Sequence, residues 1–189
     1  MQKTFTLIAG VNGVGKSSFA GALLAQPNNE LGSFIDTDRL TAAYGGDRLA
    51  GGKAALEQIR NCLKNGISFT QETTLSERQP LETVQEALAC GFQIRMHYIG
   101  LGSLEESLCR IANRVRRGGH DIPEADVRRR FQKRMADLRR ILPFCGEAKF
   151  YDNENGFMLA AVWQNGLLIP VGTRVLPWVR ELAEVCRCF

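Results

Sequence analysis

The stretch G-V-N-G-V-G-K-S at residues 10–17 matches G-x-x-x-x-G-K-[ST] at every fixed position. An apolar, β-branched run at residues 4–9 precedes it, and residues 18–25 after it have the composition of a helix. A strand, a glycine loop and a helix in this order form a P-loop, whose backbone N–H groups and helix N-terminus attract phosphate. The sequence therefore predicts a nucleoside triphosphate site. Its candidate residues are Gly10, Asn12, Gly13, Gly15, Lys16, Ser17 and Ser18, with Lys16 on the β- and γ-phosphates and the Ser17 hydroxyl on Mg²⁺.

Composition narrows the class of protein. The chain has 189 residues, a net charge of +4 and 44% hydrophobic residues, which indicates one globular domain over residues 1–189. The early apolar run leads directly into the P-loop, and no stretch is long enough to cross a membrane, so we expect no signal peptide, no membrane contact and a cytoplasmic location. Six cysteines without a C-x-x-C spacing indicate reduced thiols rather than zinc ligands.

Strand and helix patterns alternate along most of the chain. Predicted strands end at the P-loop, at residues 35, 71 and 99 and near residue 151, and helices are predicted at residues 54–64 and 80–89. This alternation predicts an α/β fold with a parallel sheet and helices on both faces, of the P-loop kinase type. Residues 157–170 predict a β-hairpin with an Asn-Gly turn, and a last helix begins near residue 177, so that residues 157–189 cover a sheet edge.

Polar residues follow several predicted strands, where the carboxyl ends of a parallel sheet form a ligand crevice. They are Asp36 and Asp38, Glu72 and Thr74, and Asp152 with its neighbour Asn153. Asp36 or Asp38 could accept the proton of a substrate hydroxyl, help to hold Mg²⁺ through water or cap the next helix. For Glu72 the roles are acceptor binding, magnesium organisation and capping. We expect all of these strand ends to meet in one crevice.

Basic charge is concentrated between residues 110 and 140, which contain eleven Arg and Lys against four Asp and Glu. Residues 104–142 predict two helices joined by a Gly-Gly-His-Asp turn. The first has an apolar stripe from Leu104 to Val115 and a basic stripe of Arg110, Arg114 and Arg117. We interpret the pair as a lid that closes over the triphosphate, with arginines binding phosphate oxygens. A solvated basic face is the alternative, and nucleic-acid binding is disfavoured because aromatic residues are not interleaved.

Several blocks together resemble the zeta toxin family of P-loop kinases over about residues 3–155. They are the P-loop, Asp36-x-Asp38, E-T-T-L-S at residues 72–76, R-V-R-R-G-G-H-D-I-P-E at residues 114–124 and Asp-Asn at residues 152–153. The resemblance implies ATP and Mg²⁺, a UDP-sugar acceptor such as UDP-N-acetylglucosamine, and a toxin with an antitoxin partner. It implies that Asp38 is the base and that Glu72 and Thr74 contact the sugar nucleotide. It also implies that Arg114, with Arg117 or His120, contacts the transferring phosphate. We count Asp36 and His120 among the candidate substrate-binding residues as well.

Two other functions remain open at this point. One is a P-loop kinase of another small hydroxyl compound, such as a nucleoside, an antibiotic or a metabolite. The other is an ATP-binding switch that acts on a partner and transfers nothing. Consumption of ATP that depends on an acceptor would separate both kinases from the switch.

Overall fold

A mixed seven-stranded sheet runs through the centre of the computed structural model, which describes residues 2–119, 121–173 and 175–187. Its strands lie in the order β2-β3-β1-β4-β5-β6-β7. The first five are parallel, and β6 and β7 are antiparallel. The strands are β1 (Thr4–Ala9), β2 (Ser33–Ile35), β3 (Phe69–Thr73), β4 (Gln93–Gly100), β5 (Glu147–Asp152), β6 (Met158–Gln164) and β7 (Leu167–Pro170).

The helices connect the parallel strands and begin at residues suited to that position. Asp36, Asp47 and Ser103 accept backbone N–H bonds as N-caps, and Gly66 ends a helix in the left-handed conformation. The helices are α1 (Lys16–Leu24), α2 (Thr37–Ala43), α3 (Arg48–Asn65), α4 (Gln79–Ala89), α5 (Leu104–Arg116), α6 (Glu124–Ile141) and α7 (Pro177–Cys186), with a short 3₁₀ turn at Leu142–Phe144.

The sheet separates two apolar cores because successive strand residues point to opposite faces. On one face, Phe5 and Leu7 of β1 pack with residues of α3, α4, α6 and α7. On the other face, Ile8 packs with Phe19 of α1 and with Ile99 of β4. The sequence prediction of an α/β sheet with helices on both faces is therefore confirmed. Residues of both cores pack at the carboxyl end of β1, where the P-loop begins.

Two helix predictions need correction. Helix α3 begins at Arg48 rather than at Ala54, and the short α2 has no counterpart among the predicted helices. Gly51 and Gly52 lower the helix propensity of the first turns of α3, which hid its start. Close packing accounts for one of them, because a Cβ on Gly51 would lie 2.6 Å from the Cα of Thr41. Tertiary contact and the Asp47 cap thus outweigh propensity here.

The C-terminal hairpin forms as predicted and extends the sheet. Strand β6 pairs with β5, so the hairpin continues the sheet and β7 becomes its edge. The predicted apolar stripe of α5 lies on a helix, with Ile111 buried and Val115 at the C-terminal end 37% exposed. In the part of the chain that the structure describes, no helix combines the length and apolar character needed to cross a bilayer.

Candidate active site

The P-loop encloses its lysine. Lys16 Nζ donates to the carbonyl oxygens of Gly10 at 3.0 Å and Val11 at 3.1 Å. Burial lowers the pKa of Lys16 to about 8, although the nearby carboxylates of Glu72 and Asp38 act to raise it. The ammonium group is therefore held at a site where little solvent stabilises its charge. Such a site favours an incoming anion, which replaces the missing solvation.

Two glycines of the loop are required by both conformation and space. Gly13 and Gly15 have φ angles of +77° and +93°, a region that residues with a Cβ rarely adopt. A Cβ on Gly13 would lie 2.6 Å from the carbonyl oxygen of Ser107 in α5, and one on Gly15 would lie 2.7 Å from Asn153 Nδ2. The loop is thus in contact with α5 on one side and with the end of β5 on the other.

An oxygen pair stands beside the P-loop lysine. Ser17 Oγ donates to Glu72 Oε2 at 3.0 Å, which joins the first turn of α1 to the end of β3. Burial raises the pKa of Glu72, and the charge of Lys16 partly offsets this effect. A hydroxyl and a carboxylate are the oxygen donors that Mg²⁺ prefers, and this ion takes few protein ligands because phosphate and water supply the rest. Ser17 and Glu72 therefore fit a magnesium ion. Among the described residues there is no cluster of three or more His, Cys, Asp or Glu side chains that could hold a metal by itself.

An open cavity of about 510 Å³ adjoins the P-loop. Its walls come from the P-loop, from α2 and α3, and from the end of β3 with the loop that follows. We call it the acceptor cavity after the role that the sequence predicts for several of its residues, and the predicted site residues that line it are Asn12, Lys16, Asp36, Asp38, Glu72 and Thr74. The structure therefore brings together three of the predicted strand ends. Arg48 and Lys53 of α3 add basic groups to the wall.

The two aspartates after β2 have different positions. Asp36 is the N-cap of α2, and its Oδ1 accepts the backbone N–H of Arg39 at 2.9 Å. Asp38 is in the first turn of that helix, is exposed, and lies close enough to Lys16 to influence its pKa. The capping role that the sequence left open thus belongs to Asp36. Asp38 is the one of the pair whose carboxylate has no role in capping α2.

The segment after β3 is held in an unusual backbone conformation. Leu75 is fully buried with a φ of +61°, and its N–H donates to Thr73 Oγ1 at 3.0 Å. A positive φ at a residue such as leucine costs about 1–2 kcal/mol and persists only where its surroundings impose it. The Thr74 and Ser76 hydroxyls are 2.8 Å apart on this turn. Burial of Leu75 therefore fixes the turn that places Thr74 at the cavity wall.

Arg130 on α6 is a site residue that the sequence analysis did not single out. Its Nη1 donates to Asn12 Oδ1 at 3.0 Å, its side chain lines the acceptor cavity, and its buried Nε has no hydrogen-bond partner in the described structure. The Ser107 hydroxyl of α5 also donates to Asn12, at the backbone oxygen, at 2.5 Å. The sequence signal that could have identified Arg130 was its position three residues after the buried Val127 and beside the buried Phe131.

The predicted lid residues lie farther out. Arg114 is near the C-terminal end of α5, and its charge lowers the pKa of Lys16 through space, but it does not line the acceptor cavity. Arg117 is the exposed residue at the C-terminal cap of α5. His120 lies outside the described residues. The predicted roles of Arg114, Arg117 and His120 toward phosphate therefore stay predictions.

The prediction that the end of β5 reaches the crevice is wrong for Asp152, whereas Asn153 does contact the P-loop. Asp152 is buried, and its two oxygens accept from Trp178 Nε1 at 2.8 Å and from the N–H of Glu154 at 3.1 Å. Asn153 Nδ2 donates to the Val14 carbonyl of the P-loop at 2.8 Å, and Asn153 does not line the acceptor cavity. At the end of β5, Asn153 therefore supports the P-loop, while Asp152 binds Trp178 of α7.

Comparisons with known proteins agree with this architecture. No protein-family model matches the chain. An uncharacterized protein of Haemophilus influenzae is 32% identical over 136 residues, which cover 69% of this chain and 94% of the relative. A structure from the PezAT chromosomal toxin–antitoxin system of Streptococcus pneumoniae has a TM-score of 0.64 at 16% identity, covering 99% of this chain and 84% of its own. The AvrRxo1-ORF1:-ORF2 structure with ATP has a TM-score of 0.62 at 18% identity, covering 99% of this chain and 63% of its own.

At these identities the two solved structures bear on the fold, and their agreement over nearly the whole chain confirms at that level the resemblance drawn from the sequence motifs. The Haemophilus influenzae relative is covered almost completely and at an identity that indicates common descent. The chain belongs to the same family as this Haemophilus influenzae protein and has the fold of the zeta toxin-like P-loop kinases.

Proposed function

We propose that the protein is an ATP-dependent kinase that transfers the γ-phosphate to a hydroxyl of a UDP-sugar, such as UDP-N-acetylglucosamine. The observation that carries the proposal is the acceptor cavity, which opens directly beside Lys16 and has carboxylates on the same wall. The cavity contains both the P-loop lysine and carboxylates that can bind a hydroxyl group, which supports a kinase over a protein that only binds ATP.

Each residue at this junction has a proposed task. Lys16 holds the β- and γ-phosphates from within the P-loop, and Asp38 accepts the proton of the attacking hydroxyl. Arg130 neutralises charge on the γ-phosphoryl group, because its guanidinium already lies against Asn12 of the P-loop. Thr74 orients the acceptor at the end of β3, beside Glu72. Arg114 and Arg117 join the phosphate when the helical lid closes.

Ser17 and Glu72 would hold Mg²⁺, which would neutralise phosphate charge when it is bound. The hydrogen bond between Ser17 Oγ and Glu72 Oε2 already brings these two oxygens together. The hydroxyl belongs to the first turn of α1, where the positive end of the helix dipole also attracts phosphate.

The acceptor cavity suits a sugar nucleotide in its composition. Acidic side chains near Lys16 can accept hydrogen bonds from sugar hydroxyls, and the basic Lys53 on α3 can bind an anionic group of the acceptor. By the resemblance to zeta toxins, we further propose that the protein is a cytoplasmic toxin that an antitoxin protein neutralises. The solved neighbour from the PezAT system is itself part of a toxin–antitoxin pair.

The experiment that tests this function is a coupled assay of ADP release from Mg-ATP with and without UDP-N-acetylglucosamine. We expect release to depend on the sugar nucleotide and to disappear in Lys16→Ala. If other small hydroxyl compounds stimulate release and the UDP-sugar does not, the acceptor assignment is wrong. If ATP binds and no acceptor stimulates release, the kinase proposal gives way to an ATP-binding switch.

The toxin assignment needs a separate test in cells. We expect expression of the wild-type chain to arrest growth and expression of Asp38→Ala, which retains Lys16, to permit growth. Normal growth with an active wild-type enzyme would instead indicate a kinase of ordinary metabolism.

A further inference from the structure

We propose that the ring of Phe157 is the surface on which the base of the bound nucleoside triphosphate stacks. The base site would lie on the side of the P-loop opposite the acceptor cavity. This inference rests on the proposed function, because it takes the P-loop to hold a triphosphate. It assigns a ligand group, a planar aromatic base, to a segment that the motif analysis leaves without a role.

The direction of the nucleotide follows from the position of the acceptor cavity. In-line transfer requires the γ-phosphate to face the acceptor hydroxyl, so the γ end lies toward Asp38 and Glu72. The nucleoside must then leave the P-loop on its other side. That side is bounded by the loop between β5 and β6, and none of residues 153–157 lines the acceptor cavity.

Phe157 lies directly against the phosphate loop. A Cβ placed on Gly15 would be 3.6 Å from Phe157 Cζ, which is van der Waals contact. Asn153, in the same loop, donates to the Val14 carbonyl at 2.8 Å. The aromatic ring is therefore within one nucleoside length of the position where α1 receives phosphate. No comparable aromatic side chain lines the acceptor cavity among the described residues.

The first residues of the loop that carries Phe157 are held by hydrogen bonds. Arg110 donates to the Asn153 carbonyl and, at 3.4 Å, to the Glu154 carbonyl. The carboxylate of Asp152 accepts the N–H of Glu154 at 3.1 Å. A ring on such a loop loses little conformational entropy when a base stacks on it, so the stacking energy is largely retained as affinity.

The ring itself is supported and still accessible. Phe157 meets Phe19 edge-to-face with ring centroids 5.1 Å apart, and Phe19 is buried in the core under α1. Phe157 nevertheless keeps 36% of its surface exposed. The exposed part of the ring therefore offers apolar surface to a ligand beside the phosphate site.

The test compares a ligand with a base and a ligand without one. Titration calorimetry measures binding of Mg-ATP and of magnesium tripolyphosphate to the wild type, Phe157→Leu, Phe157→Trp and Phe144→Leu. Leucine retains apolar packing on Phe19 and removes the aromatic face. Phe144 is a matched control, because it is 37% exposed and lies on the turn after α6.

We expect Phe157→Leu to weaken ATP binding about ten- to a hundred-fold, the effect of losing one base–aromatic stack, and to change tripolyphosphate binding less than two-fold. Phe157→Trp should keep ATP affinity, and Phe144→Leu should leave both ligands unaffected. In turnover, Phe157→Leu should raise KM for ATP with little change in kcat.

Three results would overturn the proposal in different ways. Unchanged ATP affinity in Phe157→Leu refutes the stacking role and leaves the proposed function intact. An equal loss for ATP and tripolyphosphate shows that Phe157 only supports the P-loop. If the wild type binds neither ligand, the proposed function fails together with the base site. Tripolyphosphate binding by each variant also reports that its P-loop is folded.

Discussion

Replacing Lys16 with methionine should stabilise the ligand-free protein while it abolishes phosphate transfer. Burial keeps the pKa of this lysine at about 8 instead of 10.5. At about 1.4 kcal/mol per unit, the charged side chain then destabilises the folded state by about 3 kcal/mol at pH 7. Methionine has a similar length and carries no charge. The lysine thus imposes a cost on stability that its function would explain.

Two effects reduce the expected gain. Lys16 retains partial solvent access, which screens its charge, and methionine cannot donate to the carbonyls of Gly10 and Val11. We therefore expect Lys16→Met to raise the free energy of unfolding by about 1–2 kcal/mol, or the Tm by about 2–8 °C for a domain of this size. Urea and thermal unfolding without nucleotide measure both quantities. Lys53→Met is the control, because Lys53 is an exposed lysine of the acceptor cavity.

The pH dependence has a definite sign. Between about pH 8 and 10.5 the unfolded chain keeps the Lys16 proton and the folded chain does not, so wild-type stability rises with pH relative to the variant. The advantage of Lys16→Met should shrink by about 1 kcal/mol between pH 7 and pH 9. A variant less stable than the wild type at pH 7, or a difference that does not change with pH, would refute this reasoning.

Other variants test the remaining assignments. Asp38→Asn should lower kcat about a hundred-fold or more and leave the Kd for ATP in calorimetry unchanged, and a near-normal kcat would remove Asp38 as the base. Arg130→Ala should lower kcat/KM at least about a hundred-fold in the coupled assay. Arg128→Ala should match the wild type, because the exposed Arg128 side chain pairs with Glu124 of its own helix. Equal losses in the two variants would show that only the overall positive charge matters. Asp36→Ala should lower the free energy of unfolding by about 1 kcal/mol in urea through loss of the α2 cap, and an unchanged value would deny that the cap matters.

The parts of the fold that the sequence predicts are those determined locally. The strand before the P-loop, the Asn-Gly hairpin and the start of α7 at Pro177 each follow from neighbouring residues. The start of α3 does not, because Gly51 and Gly52 argue against a helix that its contact with α2 nevertheless stabilises. Long-range packing thus decided the element that forms most of one wall of the acceptor cavity.

The candidate site likewise contains some residues that local sequence places and others that packing places. Lys16, Asp38 and Glu72 are adjacent to strand ends, so parallel strand order alone predicts that they meet. Arg130 reaches the P-loop from α6, 118 residues from Asn12, and only the packing angle of that helix brings it there. Asp152 resembled a site residue until the structure paired it with Trp178 from α7. Residue type and position along the chain therefore predict neither that Arg130 reaches the site nor that Asp152 is turned away from it.

The most direct test of the central claim is phosphorus NMR of the protein with Mg-ATP and UDP-N-acetylglucosamine, beside Asp38→Ala under the same conditions. The account predicts a new phosphomonoester resonance that requires the sugar nucleotide and is absent with the variant. ATP binding with no new resonance in the wild type would contradict transfer to this acceptor. A resonance of equal intensity in Asp38→Ala would contradict the assignment of the base.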